Sequence, residues 1–413
     1  MIVIGAGPAG AAAAMRAAGS GITVTAFEKG APGRDKVCGD GLTPRAVAAL
    51  DELGVSLDDA HRIAGLRMIA GQRVRELDWP ANGQFGPFGA VWPRRRLDSA
   101  LCDGAAASGA ELCFGTEALP ILEDGRAVGV TAGGERWTAD LVVLAAGAQG
   151  QAARMLGALR DPDEPFGLAI RTYAETPRHA EEYLEACLTL RDPDGTAVPG
   201  YGWLFPAGDG TVNIGVGALS TMKGFAKLNL NRLCDSYRDL VADSWQLGPY
   251  LERPRAWRLP MSAVRRHGPG WVAIGDAAGL INPMNGEGID YGLETGILAA
   301  DLFAADPTAV PDTYDRLVAE RFDAFLRTGR RFSFLIGHPR ILRTGLRLAV
   351  GTDAIARLTL QVMGNLIDNE TPGTAGRVLN VADAALAAVS PALRRLHRRR
   401  TTRARGTASP NSA

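Results

Sequence analysis

The sequence predicts an α/β fold: a Rossmann-like nucleotide-binding domain, an interleaved antiparallel-sheet domain and a C-terminal helical region. Three observations predict it. A strand, a glycine turn and a helix stand at the start of the chain; two later strands each end in small residues; and from Asp312 onward the apolar period becomes helical. At 413 residues the chain exceeds one compact core. Its 45 Lys+Arg against 45 Asp+Glu leave no net charge, which argues against a nucleic-acid partner. Five scattered cysteines do not make a secreted disulfide framework.

The first strand, Met1-Ile-Val-Ile4, runs into Gly5-Ala-Gly7-Pro8-Ala9-Gly10 and the Ala-rich helix Ala11 to Ala18. A second strand, Ile22 to Phe27, ends on Glu28. In this βαβ fingerprint Gly5 makes the tight turn, Gly7 lets a pyrophosphate approach, and Gly10 lets helix and sheet pack closely. The pyrophosphate would sit at the helix N-terminus, and Glu28 would accept from the adenosine ribose hydroxyls.

Two later segments turn the choice of dinucleotide toward FAD. Ala139 to Gly147 reads as a buried strand ending in small residues, and Trp271-Val-Ala-Ile-Gly275-Asp276 repeats the design. Asp276 can hold the ribityl hydroxyls of a flavin, and can cap the following turn as well. The run Asn282-Pro-Met-Asn-Gly286-Glu-Gly288-Ile289-Asp290 is suited to aiming backbone N–H groups at the flavin's pyrimidine oxygen.

With Glu28 and Gly275-Asp276, this arrangement resembles the flavoprotein superfamily that shares the hydroxybenzoate-hydroxylase fold. The resemblance implies that Arg94 reaches the cofactor pyrophosphate and that the backbone of Ala118 meets adenine. It also implies three FAD-binding segments (1–65, 94–158 and 266–310) and a substrate domain (159–265) with an insertion at 66–93. A helical region (311–396) and a disordered basic tail (397–413) follow.

Two segments address the chemistry. Cys38-Gly39-Asp40-Gly41 places a cysteine among glycines after the second strand, where it can run under the flavin ring. In Tyr201-Gly-Trp203-Leu-Phe205-Pro206, alternation puts the three aromatic rings on one strand face, walling a cavity. Both closely resemble segments of the geranylgeranyl reductase family, flavoproteins that saturate double bonds in isoprenoid chains. The long runs Cys38 to Val47, Asn213 to Thr221 and Asn285 to Gly296 are nearer still to its actinobacterial menaquinone reductase branch. Similarity extends from Met1 to about Asn369. The chain departs from the family in starting directly on its first strand, which suggests a trimmed start, and in its Arg-rich end.

The resemblance implies FAD as cofactor and a menaquinone-like polyprenyl lipid as substrate. An isolated alkene cannot accept hydride as an enone does, so protonation at one carbon with hydride transfer to the other is expected. Cys38 is the residue expected against the reacting carbon, as acid or as steering group, with Asp40 as runner-up acid. Tyr201 and Trp203 would stabilise the cationic carbon through their π faces, and Phe205 would complete the substrate wall. A single nucleotide fingerprint implies an external electron donor, NAD(P)H or a redox protein. An aromatic monooxygenase or halogenase on the shared fold, and a non-enzymatic prenyl-lipid carrier, are the alternatives.

No secretory leader and no apolar run long enough to span a bilayer is read in the sequence. Between Asp323 and Asp353 stand six Arg and no acid, interleaved with apolar residues at helical spacing. Seven more Arg lie between Arg394 and Arg405. The expectation is four helices (Tyr314–Arg327, Phe332–Leu348, Asp353–Leu366 and Val378–Leu396) in contact with an anionic membrane surface. That places the protein in the cytoplasm, peripheral on the inner face of the membrane. The histidines show no ligand spacing, so no metal site is expected.

Overall fold

The computed structural model describes residues 1–81, 84–147, 150–367 and 373–406. At its centre, Ile2–Ile4 pairs in parallel with Val142–Leu144 on one side and with Thr25–Glu28 on the other. Trp271–Ala273 and Glu111–Phe114 extend the sheet outward in parallel, and His267–Gly268 closes one edge antiparallel. These strands are apolar at nearly every position because helices or loops cover both faces. The helix Pro8–Gly19 is buried over most of its surface, with Ala11 to Ala14 and Ala17 wholly inaccessible. It lies so close to the helix Ile289–Ala305 that a Cβ on Gly296 would stand 2.5 Å from the Ala9 carbonyl oxygen.

A second sheet of seven strands runs in the order Arg255–Pro260, Phe166–Glu175, Thr211–Leu219, Gly200–Pro206, Tyr183–Cys187, Gly65–Ala70, Arg73–Asp78. It is antiparallel except where Tyr183–Cys187 meets Gly65–Ala70 in parallel. The helix Leu230–Trp245 covers one face, burying Tyr237 and Trp245 against Ile170, Leu204 and Ile214. Gly202 makes room there, since a Cβ would meet the Tyr237 ring at 2.6 Å. Residues 201, 203 and 205 alternate to the opposite face, toward the nucleotide domain.

The C-terminal region is helical, with other boundaries than the sequence predicts. The expected helix Phe332–Leu348 is two helices, Ala324–Ile336 and Pro339–Ala349. Pro339 has no N–H to donate and drives His338 out of the helical region, so the chain bends there. A five-residue π turn, Ala319–Asp323, interrupts the expected Tyr314–Arg327 helix. Asp353–Met363 stops short of Leu366, because Gly364 and the left-handed Asn365 (φ +50°) end it. Backbone helix continues through Gly373–Gly406, where a disordered tail from 397 was expected; residues 407–413 of that tail lie outside the described residues. Among the described residues no helix is long and apolar enough to cross a membrane, and no metal-ligating cluster occurs.

Candidate functional site

A cavity of about 2140 Å³ runs from the glycine turn, between the two sheets, to the C-terminal helices. At the nucleotide end the backbone forms the wall. Gly5 is left-handed (φ +104°), and a Cβ on it would strike the Ala145 carbonyl at 2.5 Å. A Cβ on Gly10 would lie 1.8 Å from the Gly5 oxygen. Gly7 is open on its cavity side, where the nearest atoms to an added Cβ are guanidinium nitrogens of Arg34 at 3.8 Å and Arg94 at 4.0 Å. No side chain caps the helix Pro8–Gly19. A bare helix N-terminus facing two arginines is an anion cradle, and it fits the pyrophosphate of FAD. Pro8, Ala9 and Ala118 line the same end.

Glu28 is buried and already engaged. Its carboxylate accepts from the Ala6 and Gly30 amides at 3.1 and 2.8 Å and from Arg34 at 3.0 and 3.2 Å. Burial pushes this carboxyl up, but Arg34 and the two amides outweigh it and hold it below its ordinary value. Arg94 is likewise occupied, donating to both oxygens of Asp98 at 2.7 and 2.8 Å while its guanidinium faces Gly7.

Midway along the cavity, Asp276 pairs with Lys36 at 3.2 Å and lies 3.1 Å from the Cβ that Gly288 lacks. The expected capping role is absent: Ile274 precedes the turn Gly275–Ala278, and no side chain caps it. Gly275 (φ +54°) is required by close packing on Ala9 and Gly292. Gly286 (φ +83°), Gly288 and Ile289 line the cavity and lead into the uncapped N-terminus of Ile289–Ala305.

At the far wall stand Tyr201, Trp203 and Phe205, with ring centroids 5.8 and 6.2 Å apart in sequence order. Trp203 donates to the Asn213 side-chain oxygen at 2.9 Å, and the Tyr201 hydroxyl donates to the Asn285 carbonyl. Cys38 and Gly39 line the cavity beside them. Gly39 and Gly41 pass beneath Phe205, which an added Cβ would approach to 3.1 and 3.0 Å.

Asp40 and Gly41 do not line the cavity. Asp40 is wholly buried in a left-handed conformation (φ +64°) behind the Cys38 loop. Its carboxylate accepts from Asn213 at 2.8 Å and from the Tyr173 hydroxyl. The same Asn213 amide donates to the Cys38 carbonyl at 2.8 Å. Burial pushes Asp40 up despite these bonds. The Cys38 thiol is also pushed up by burial, more than the Arg94 charge offsets, so it holds its proton at neutral pH.

Several residues that brace the site draw their partners from distant segments. Arg171, wholly buried, bridges Asp35 at 2.7 Å and Glu252, and donates to the Cys38 carbonyl at 3.2 Å. An Arg inside the otherwise uncharged strand run Phe166 to Ala174 was the available signal. Glu287 accepts from the Thr43 hydroxyl at 2.6 Å and from Asn285 at 3.3 Å, and burial pushes it up to about 7. Asp290, next along the fold, is wholly buried without a hydrogen bond, and burial and the Glu287 charge raise it. Arg45 sits 3.8 Å from Asp290 and is tied to Glu294. Spacing alone does not reveal that these acids share one arginine.

The FAD binding domain family matches residues 1–324. The chain is 40% identical over 394 residues to the menaquinone reductase of Mycolicibacterium smegmatis, covering 92% of this chain and 95% of that protein. It is 39% identical over 388 residues to the menaquinone reductase of Mycobacterium tuberculosis, covering 92% and 94%. To digeranylgeranylglycerophospholipid reductase 1 of Methanopyrus kandleri it is 31% identical, over 73% of this chain and 79% of that one. Among solved structures, a geranylgeranyl bacteriochlorophyll reductase-like protein from Thermoplasma acidophilum superposes with a TM-score of 0.76 at 22% identity, over 92% and 98% of the two chains. The flavin-dependent brominase Bmp2 superposes at 0.71 and 16%, over 94% and 98%. At those identities the structural likenesses show the fold alone.

Proposed function

The chain belongs to the FAD-binding domain family, as a flavoprotein oxidoreductase of the geranylgeranyl reductase kind, and we propose that it saturates one C=C bond in the isoprenoid chain of a menaquinone-like lipid. The observation that carries this reading is the continuity of the cavity. Beyond the aromatic wall it extends as an apolar channel along Leu335, Ile336, Leu342, Leu346, Val362 and Leu386. A compact aromatic substrate would need no such extension, whereas a polyprenyl chain fills it.

FAD, when bound, supplies the hydride. The glycine turn, Arg34 and Arg94 would hold its pyrophosphate, and Asp276 with Lys36 would hold its ribityl hydroxyls. Tyr201 and Trp203, fixed by Asn285 and Asn213, turn ring faces to the alkene and favour positive charge on the carbon next to the protonated one, which then takes the hydride. Cys38 is the acid: it lines the cavity, and burial pushes its thiol above its ordinary value, so it carries a proton to give. Asp40 lies behind the wall and positions the Cys38 loop through Asn213. The surrounding apolar surface excludes water, which would otherwise capture a cationic carbon.

The lipid enters at the membrane. Ile341, Leu348 and Ile355 both line the cavity and stand 38%, 62% and 41% exposed, beside Arg340, Arg343 and Arg347. An amphipathic basic helix at the cavity mouth suits the interface of an anionic bilayer on the cytoplasmic side. Mass spectrometry of quinones from a host with and without the gene tests the function. A gain of two hydrogens on the chain is expected, and no change in any polyprenyl lipid overturns it.

A further inference from the structure

The seven-stranded sheet ends at Arg255–Pro260, whose outer edge has no strand beside it among the described residues. This strand is also the thin wall of the cavity's middle. Arg255, Trp257 and Leu259 share one face, and all three line the cavity. Lys36, the partner of Asp276, lies 5.8 Å from the Trp257 ring centroid. Leu259 reaches within 3.4 Å of the Cβ position of Gly286. Trp257 is 37% exposed, so one aromatic side chain spans from the cavity to the surface.

The surface around it is positive. Between Glu252 and Asp276 the chain carries five Arg and no acid. Asp35 and Glu252 neutralise Arg255, and Asp315 and Asp323 neutralise Arg266. Arg253, just before the strand, and Arg258, on the strand face opposite Trp257, are both exposed and have no carboxylate partner among the described residues. Arg258 instead stacks on Phe166 at 5.0 Å, and Arg160 stacks on the same ring at 4.9 Å. Charges on an exposed edge also keep sheets from pairing with one another. An exposed Trp works against that purpose, because it invites contact.

We propose that Arg253, Trp257 and Arg258 form the docking patch of a small acidic one-electron carrier protein, which reduces the flavin across this wall. The inference rests on the flavin reductase reading and names its donor. The sequence carries a single GxGxxG fingerprint, at Gly5–Gly10, which favours a protein over a second dinucleotide. Two reduced carriers each give up one electron and two protons come from solvent, taking FAD to FADH₂. The alkene then takes one hydride and one proton, regenerating FAD.

The test mixes FAD-loaded enzyme anaerobically with a reduced acidic two-iron ferredoxin and follows loss of flavin absorbance. Bleaching should be second order, slow as salt rises, and fall about tenfold in Arg253→Gln/Arg258→Gln. Arg253→Lys/Arg258→Lys should keep the rate, and dithionite should bleach all three proteins equally, which controls for folding. An equal ferredoxin rate in the Gln variant overturns the proposal, as does bleaching by NADH or NADPH but not by ferredoxin. Dithionite-reduced enzyme given polyprenyl lipid tests the underlying function separately. Failure to saturate the chain there sinks the reductase reading while the bleaching rates still decide the docking patch.

Discussion

The two ends of the cavity are built on opposite principles. At the nucleotide end, backbone does the work: Gly5, Gly7 and Gly10 bring N–H groups to the surface, and side chains are kept away by distances as short as 1.8 Å. At the lipid end, side chains do the work, and separate helices meet through Leu, Ile and Val with arginines on the outer face. At Gly5 and Gly10 the backbone tolerates no added atom, whereas an apolar channel tolerates a side chain of similar volume. The nucleotide end should therefore fail all at once and the lipid end by degrees.

Gly10→Val breaks the comparison most severely. Its side chain meets the Gly5 oxygen and Ala145, so purified protein should lose flavin absorbance altogether. A variant that retains full flavin would refute the backbone account. Cys38→Ala comes next: loss of a general acid should lower turnover about a hundredfold or more, with flavin content unchanged. Unchanged turnover would remove Cys38 from the acid role.

Replacing Arg340, Arg343 and Arg347 together with Gln should weaken binding to anionic vesicles about a hundredfold, at roughly 1 kcal/mol per arginine. Turnover of a detergent-dispersed lipid should stay near wild type. Equal vesicle binding would place the membrane contact elsewhere.

The smallest effect concerns Glu287, which lies between the two ends. Its carboxyl is raised from 4.5 to about 7, so the folded state binds the proton more tightly than the unfolded chain. The stability this gives is full below about pH 4.5 and is lost as pH rises through about 7. Melting temperatures of wild type should fall by a few degrees relative to Glu287→Gln across that window. Parallel curves for the two proteins would show that the carboxyl is not raised.

Legibility followed the same division. The glycine fingerprint, Glu28, Gly275-Asp276 and the aromatic strand are local patterns, and the structure gathers them along one cavity. Asn213 stood within a quoted run without a role, which emerged only when a strand brought it to Cys38 and Asp40. Arg171 and Asp35 are partners across 136 positions, and no local period records such a pair. Helix boundaries near Pro339 and Gly364 follow these backbone breakers and not the apolar spacing around them.

By itself the sequence determined the nucleotide cradle, the flavin and the face on which the aromatic rings lie. Each follows from the conformational limits of glycine or the two-residue period of a strand, both properties of short segments. Tertiary structure alone decided that Cys38 faces the cavity while Asp40, two residues on, is sealed behind it. It also decided that Glu287 and Asp290 are buried together, and that the cavity opens among the basic helices. Burial and desolvation are set by what packs against a residue from elsewhere in the chain, and it is burial that pushes the Cys38 thiol above its ordinary value.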